Sequence, residues 1–112
     1  MKFSGVLLDL DNTLYDYEAA HRPALAAALS LASELTGADP QRTGEAFAAA
    51  RAQINDVLAG TAASHNRLLY FQRMFELLGV NPLGHALDIY TCYWDTFLER
   101  MAFEEGTEAF LD

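Results

Sequence analysis

The chain has 112 residues, with seven basic and sixteen acidic side chains and a net charge of −9. That length suits one ordinary domain, and a hydrophobic fraction of 52% supports a packed core and argues against disorder. The acidic balance excludes the basic stripe that a nucleic-acid binder uses to neutralise phosphates, and it disfavours anionic membrane surfaces.

The first element is short. Val6-Leu7-Leu8 is an apolar run closed by Asp9, and such a run reads as a buried parallel strand. Asp9 and Asp11 then fall at its carboxyl end, where open α/β sheets hold their ligands. The following stretch, to about residue 101, reads as four amphipathic helices. Leu25, Ala28, Leu29, Ala32 and Leu35 recur at helical spacing and Gly37 stops the run. Pro23 sits inside or just before this helix and leaves its start open. Asp39-Pro40 supplies an N-cap and a first-turn proline for the second helix, whose apolar face is Phe47, Ala50, Ile54, Val57 and Leu58. Ser64 is the expected cap of the third, with Leu68, Phe71, Phe75 and Leu78 on one face. Asn81-Pro82 opens the fourth, with a stripe of Leu83, Leu87, Tyr90, Trp94, Phe97, Leu98 and Met101. Four such stripes bury one another most economically in a bundle. Gly106-Thr107 begins a further helix just before Asp112.

The single cysteine, Cys92, excludes an intramolecular disulfide and a cysteine zinc site, and its neighbours Tyr90, Tyr93 and Trp94 suggest a buried helical thiol. No apolar run approaches a membrane span, and Asp9 and Asp11 interrupt the N-terminal apolar stretch too early for a signal peptide. The cytoplasm is the default compartment.

Chemistry concentrates at Asp9 and Asp11. Two carboxylates this close repel unless a cation lies between them or one takes a proton. A hard divalent ion such as Mg²⁺ is a natural partner for oxygen ligands beside a phosphate. A carboxylate is also able to attack phosphorus, while a second one protonates the leaving alkoxide. The plainer alternative is a strand end followed by a solvated Asp-Asn turn.

The string Val6-Leu7-Leu8-Asp9-Leu10-Asp11-Asn12-Thr13-Leu14 resembles motif I of the haloacid dehalogenase (HAD) superfamily, Asp-x-Asp-x-Thr after an apolar strand. The resemblance implies an α/β, Rossmann-like core with an α-helical bundle cap. Of that fold this chain would hold one core strand with motif I (residues 1–16), the helical cap (17–101) and a truncated return toward the core (102–112). It also implies that Asp9 is the nucleophile and a Mg²⁺ ligand. Asp11 would be the general acid/base with its main-chain carbonyl on the metal, and Thr13 would stabilise the turn. Phosphatases of the family carry Asp at the second position and dehalogenases carry other residues there, so Asp11 favours a small phosphorylated metabolite as substrate over a 2-haloacid.

Ser64-His65-Asn66-Arg67-Leu68-Leu69-Tyr70-Phe71 looks like the cap of a subgroup with N-acylneuraminate-9-phosphatase-like and pyrimidine-nucleotidase-like members. There His65 and Arg67 would contact the substrate; the plainer reading is a polar first turn with Tyr70 and Phe71 in the core. His21 and Arg22, near the hinge, are weaker substrate candidates, and His85 carries no signal.

The family's later motifs are a Ser/Thr at a second strand end, a Lys and an acidic pair. They are not recognisable here. Lys2 precedes motif I, and Glu104, Glu105 and Asp112 lie on no evident strand. The expectation is therefore a fragment of a longer hydrolase. The competing expectation is a non-catalytic helical interaction domain with a loosely held N-terminal strand.

Overall fold

A computed structural model describes residues 2–111; Asp112 lies outside the described residues. Four long helices form in the expected stretch. The first, α1 (Tyr17–Thr36), is capped by Asp16, whose side chain accepts from the backbone N–H groups of Glu18 and Ala19. Pro23 falls in its second turn and removes one backbone donor without ending the helix. Gly37 closes it with φ of 73°, the left-handed conformation glycine adopts without strain, and donates to the carbonyl of Ser33. Asp39 caps α2 (Pro40–Val57), with Pro40 in the first turn, where a missing N–H costs nothing.

A 3₁₀ turn (Ala62–His65) leads to α3 (Arg67–Leu77). The cap of α3 is Asn66, not Ser64. The Asn66 side chain accepts from the N–H of Leu68 and Leu69, whereas Ser64 is buried one turn earlier and donates to the carbonyl of Thr61. Asn81-Pro82 opens a second 3₁₀ turn, and α4 (Ala86–Arg100) begins only after it. A short α5 (Thr107–Leu111) follows.

The helices pair by size of side chain. α1 packs chiefly on α4, and α2 on α3. The buried face of α1 is all alanine, at positions 20, 24, 28 and 32. The facing helix α4 supplies the bulk with Ile89, Tyr93 and Phe97, and α3 adds Tyr70, Phe71, Met74 and Phe75 to the core it shares with α2 and α4. Thr43 is fully buried yet satisfied: its hydroxyl accepts from Ser33 and donates to the carbonyl of Asp39, tying α2 to α1.

Three expectations are corrected. Of the expected α4 stripe, Phe97 is buried and Tyr90, Trp94 and Met101 pack half-buried against the core, but Leu83, Leu87 and Leu98 are exposed and Ala86, Ile89 and Tyr93 are buried in their place. The later start of the helix places Leu83 outside it, and Leu87 and Leu98 then fall off the face defined by its buried residues. Leu35 and Val57 are likewise exposed at the ends of their helices. Cys92 is half-buried on α4 rather than buried.

The third correction concerns the N-terminus. Residues 2–10 form no strand, and Val6 and Leu7, expected inside a sheet, are exposed. A strand is stabilised by a neighbour that takes its N–H and C=O groups. Among the described residues the only pairings of this kind are isolated bridges, Asp11 with Tyr15 and Tyr15 with Phe103. The extended arm helps raise the radius of gyration to 16.9 Å, against roughly 13 Å for a compact chain of this size. Among the described residues no helix is long and apolar enough to cross a membrane.

The alanine face makes a prediction. Ala28→Leu adds volume where α1 has none to spare and should destabilise the protein by about 1–3 kcal/mol. Ala49→Leu, on the exposed side of α2, should stay within about 0.5 kcal/mol. Urea unfolding of both variants checks the contrast, and equal effects would contradict the packing described.

Candidate functional site

The site is built where the N-terminal arm turns into α1. Backbone bonds from Thr13 and Leu14 to the carbonyl of Leu10 close a tight turn. Asn12 makes that turn possible. It takes φ of 61°, which asparagine tolerates better than most residues, and its side chain accepts from the N–H of Tyr17 at 3.0 Å. The turn leaves Asp11 facing the bundle.

Asp11 is held there by Tyr15, whose hydroxyl donates to its carboxylate. The Tyr15 ring packs edge-on against Phe97 of α4, with centroids 5.9 Å apart. Burial, then the bond to Asp11, pushes the Tyr15 phenol up to about 12, so it stays a donor at neutral pH. The far side of the turn is pinned too: the Leu14 carbonyl accepts from the Glu104 N–H at 2.7 Å and from the Thr107 hydroxyl at 3.1 Å. The two strands of chain entering and leaving the bundle therefore run side by side.

Asp11 opens on a cavity of about 210 Å³. α1 contributes Tyr17 and His21, α2 contributes Arg51, the 3₁₀ turn contributes His65, and α3 contributes Arg67 and Tyr70. Arg67 is the best-supported side chain. Its guanidinium lies over the rings of Tyr93, Trp94 and Tyr17, at 5.0, 5.3 and 5.6 Å from their centroids, and donates to the Tyr17 hydroxyl. Such cation–π contacts are worth about 0.5–2 kcal/mol each, more where water is excluded.

His21 lies beneath this group. Its Nδ1 is 2.6 Å from the Tyr93 hydroxyl and 3.3 Å from that of Tyr17. Burial, then the neighbouring Arg67 charge, lowers its pKa below the ordinary 6.5. With its single proton on Nε2, the neutral imidazole accepts at Nδ1 from the Tyr93 hydroxyl; with the proton on Nδ1 it donates instead. Burial pushes the Tyr93 phenol above its usual range, which keeps its proton in place.

The cavity thus joins four of the residues picked out from sequence, Asp11, His65, Arg67 and the weaker candidate His21. It does not include Asp9, which is exposed on the arm, or Thr13, which lines a separate recess with Leu8, Leu14 and Thr107. Arg22 points to solvent and pairs with Glu18. Arg51, Tyr17 and Tyr70 were not singled out in the sequence. Arg51 had one signal: it is the lone charge between Ala46 and Asn55, a stretch otherwise dominated by alanine. Asp9 and Asp11 are hard oxygen donors of the kind Mg²⁺ takes. Among the described residues no three His, Cys, Asp or Glu side chains gather into a metal site, so the Asp9 carboxylate and the Asp11 main-chain carbonyl would fit only part of a ligand set.

The chain is similar to a ribulose-1,5-bisphosphate 5-phosphatase of Halopiger xanaduensis, with 43% identity over 101 residues. The match covers 88% of this chain and 42% of that protein, so the chain spans less than half the length of the relative it resembles. No family model matches the chain. No solved structure matches it either.

The His21 environment has a measurable consequence. His21 should titrate below 6.5 when its ring protons are followed by NMR against pH. The unfolded chain then binds the proton more readily than the folded one, so the stability His21 contributes is full above about 6.5 and is lost as pH falls toward its folded pKa. Arg67→Gln removes one of the two main causes and should move the midpoint up; a midpoint that stays or falls would exclude Arg67 as a cause.

Proposed function

We propose that this chain is part of a HAD-type, Mg²⁺-dependent phosphatase that acts on a small phosphorylated sugar. Asp9 is the nucleophile and Asp11 the general acid/base. The observation that carries the reading is that the Asp11 carboxylate, inside an Asp-x-Asp-x-Thr string, lines one cavity with two arginines and two histidines. The similarity to a sugar-bisphosphate phosphatase supports it. So does Asp11 itself, because a sugar alkoxide leaving group needs a proton and a halide does not.

On this reading the Asp9 carboxylate attacks phosphorus, and the bond from phosphorus to the sugar oxygen breaks. Asp11 gives its proton to that oxygen as it leaves. Water then attacks the resulting acyl phosphate, Asp11 takes the water's proton, and Asp9 and inorganic phosphate are released. Asp9 and Asp11 would hold the magnesium ion, which when bound supplies positive charge to the phosphoryl oxygens. Tyr15 keeps the Asp11 carboxylate turned toward the cavity by donating to one of its oxygens. The other oxygen is left for the proton transfers.

The test is turnover of p-nitrophenyl phosphate with Mg²⁺ by the protein's full natural chain. Asp9→Asn should reduce kcat to background, because the amide cannot form the acyl phosphate. Asp11→Asn should cost about 10²–10⁴-fold with an alkyl phosphate, and less with p-nitrophenyl phosphate, whose leaving group needs little protonation. Full activity in Asp9→Asn would remove Asp9 as the nucleophile.

A further inference from the structure

Three helices bring Tyr17, His21, Arg67 and Tyr93 together, and the first three of these residues also line the cavity. One oxygen joins them. The Tyr17 hydroxyl accepts from the Arg67 guanidinium and lies 3.3 Å from His21 Nδ1. The same nitrogen is 2.6 Å from the Tyr93 hydroxyl. The rings hold the imidazole as well: Tyr17 stacks on it with centroids 5.0 Å apart, and Tyr93 meets it edge-on at 5.7 Å. The guanidinium and the imidazole therefore share a phenol oxygen and the rings of Tyr17 and Tyr93. Carboxylates that could offset a second charge there are engaged elsewhere: Glu18 pairs with Arg22, and Asp11 accepts from Tyr15.

Such a set accommodates one positive charge. While the imidazole is neutral, Arg67 keeps its phenol acceptor. A protonated imidazole donates at both nitrogens, so Nδ1–H competes with Arg67 for the phenol oxygens, and two like charges face each other across one of them in a partly dry site. The surroundings give little relief. Burial opposes the His21 proton most, followed by Arg67 on α3; Glu18 on its own helix favours the proton, and Arg51 on α2 opposes it. α4 presents the Tyr93 hydroxyl, and His65 and Asp11 border the same cavity. Of the two cations Arg67 is the one able to leave. His21 is wedged between two rings, whereas Arg67 sits in the first turn of α3 on a long stem that opens on the cavity. We infer that His21 is a positioning residue for Arg67: neutral, it keeps the phenols of Tyr17 and Tyr93 around the guanidinium, and protonated, it displaces the guanidinium from the rings into the cavity. A fixed cation of the cavity then becomes a mobile one as pH falls. As regulation of the proposed active site this rests on the phosphatase reading; the latch itself rests only on these four side chains.

NMR of the full natural chain against pH tests it. At neutral pH the Arg67 side-chain protons should carry an upfield ring-current shift, because the guanidinium lies over three rings. As pH falls, that shift should decay toward the position of the exposed Arg22, with the same midpoint as the His21 ring protons, below 6.5. His21→Gln stays neutral and keeps a hydrogen-bonding side chain, so it should hold the Arg67 shift across the same range. Tyr17→Phe keeps the ring and removes the shared oxygen, and should reduce the Arg67 shift already at neutral pH. Amide spectra show whether each variant is folded, and the wild-type titration decides the matter without them. An Arg67 shift that stays constant through the His21 titration would overturn the inference. So would a transition that follows the His65 ring protons instead, one that persists in folded His21→Gln, or an undiminished shift in folded Tyr17→Phe. No arm of the experiment uses turnover, so failure of the phosphatase reading, seen as turnover that survives Asp9→Asn, leaves this result separate.

Discussion

The guanidinium of Arg67 is the group around which the site is arranged. It leaves α3 in its first turn and ends among Tyr17 of α1 and Tyr93 and Trp94 of α4. A charge removed from bulk water needs compensation, and here it comes from three ring faces and one phenol oxygen rather than from a carboxylate. That choice has consequences for everything nearby. A carboxylate partner would have cancelled the positive field; rings and a phenol do not. The field therefore reaches His21, where it helps keep the imidazole neutral, and reaches the cavity that Asp11 borders. Arginine suits the position better than lysine, because a planar cation stacks on rings and holds one orientation.

This arrangement reconciles a net charge of −9 with the anionic ligand proposed above. Net charge governs solubility and long-range encounter; a site is governed by what lies within a few ångströms of it. At ordinary ionic strength the acidic surface is screened over about 8–10 Å, while Arg51 and Arg67 act at contact distance inside a partly enclosed volume. An acidic overall balance and the proposed sugar phosphate are therefore compatible.

The sequence made the helices legible and left their ends and facing less so. Asp39-Pro40 and Gly37 marked their boundaries because each acts locally, by a side-chain cap with a first-turn proline or by a left-handed turn. Ser64 misled because any small hydroxyl before an apolar run resembles a cap, whereas the cap is set by which side chain reaches the free N–H groups, and Asn66 is closer. The stripe of α4 was partly misplaced because Asn81-Pro82 starts a 3₁₀ turn that leaves Leu83 outside the helix, and because Leu87 and Leu98 each sit one residue from a buried position, Ala86 and Phe97. The all-alanine face of α1 gave a weak signal, since alanine marks a buried face less clearly than leucine; only the bulk of the opposing aromatic residues explains it. Asp11, His65 and Arg67 were readable from their motif contexts, but Arg51 was not. Its lone charge in an alanine-rich stretch was the one local trace, and its place in the cavity depends on how α2 packs beside α3, a tertiary fact.

The exposed arm and the ordered cavity fit one physical account. Leu7 is exposed because a strand's stability comes from the strands beside it, and the described residues pair it with none. Asp11, two residues past Asp9, is ordered by a different set of forces: the Asn12 turn, the Tyr15 hydroxyl and the Leu14 carbonyl, which is tied to Glu104 and Thr107. The two aspartates thus belong to different mechanical units. Asp9 moves with whatever holds the arm, and Asp11 with the helical bundle. On the proposed mechanism, chemistry needs the nucleophile and the acid/base on one phosphoryl group at once, so the joint at Leu10 must be set correctly. A ligand bridging the arm and the cavity would set it, because the cavity is lined by the unit that carries Asp11. Recognition of a distant group would then be spent on aligning the reacting ones, which is how binding energy remote from the chemistry raises the rate of the chemical step.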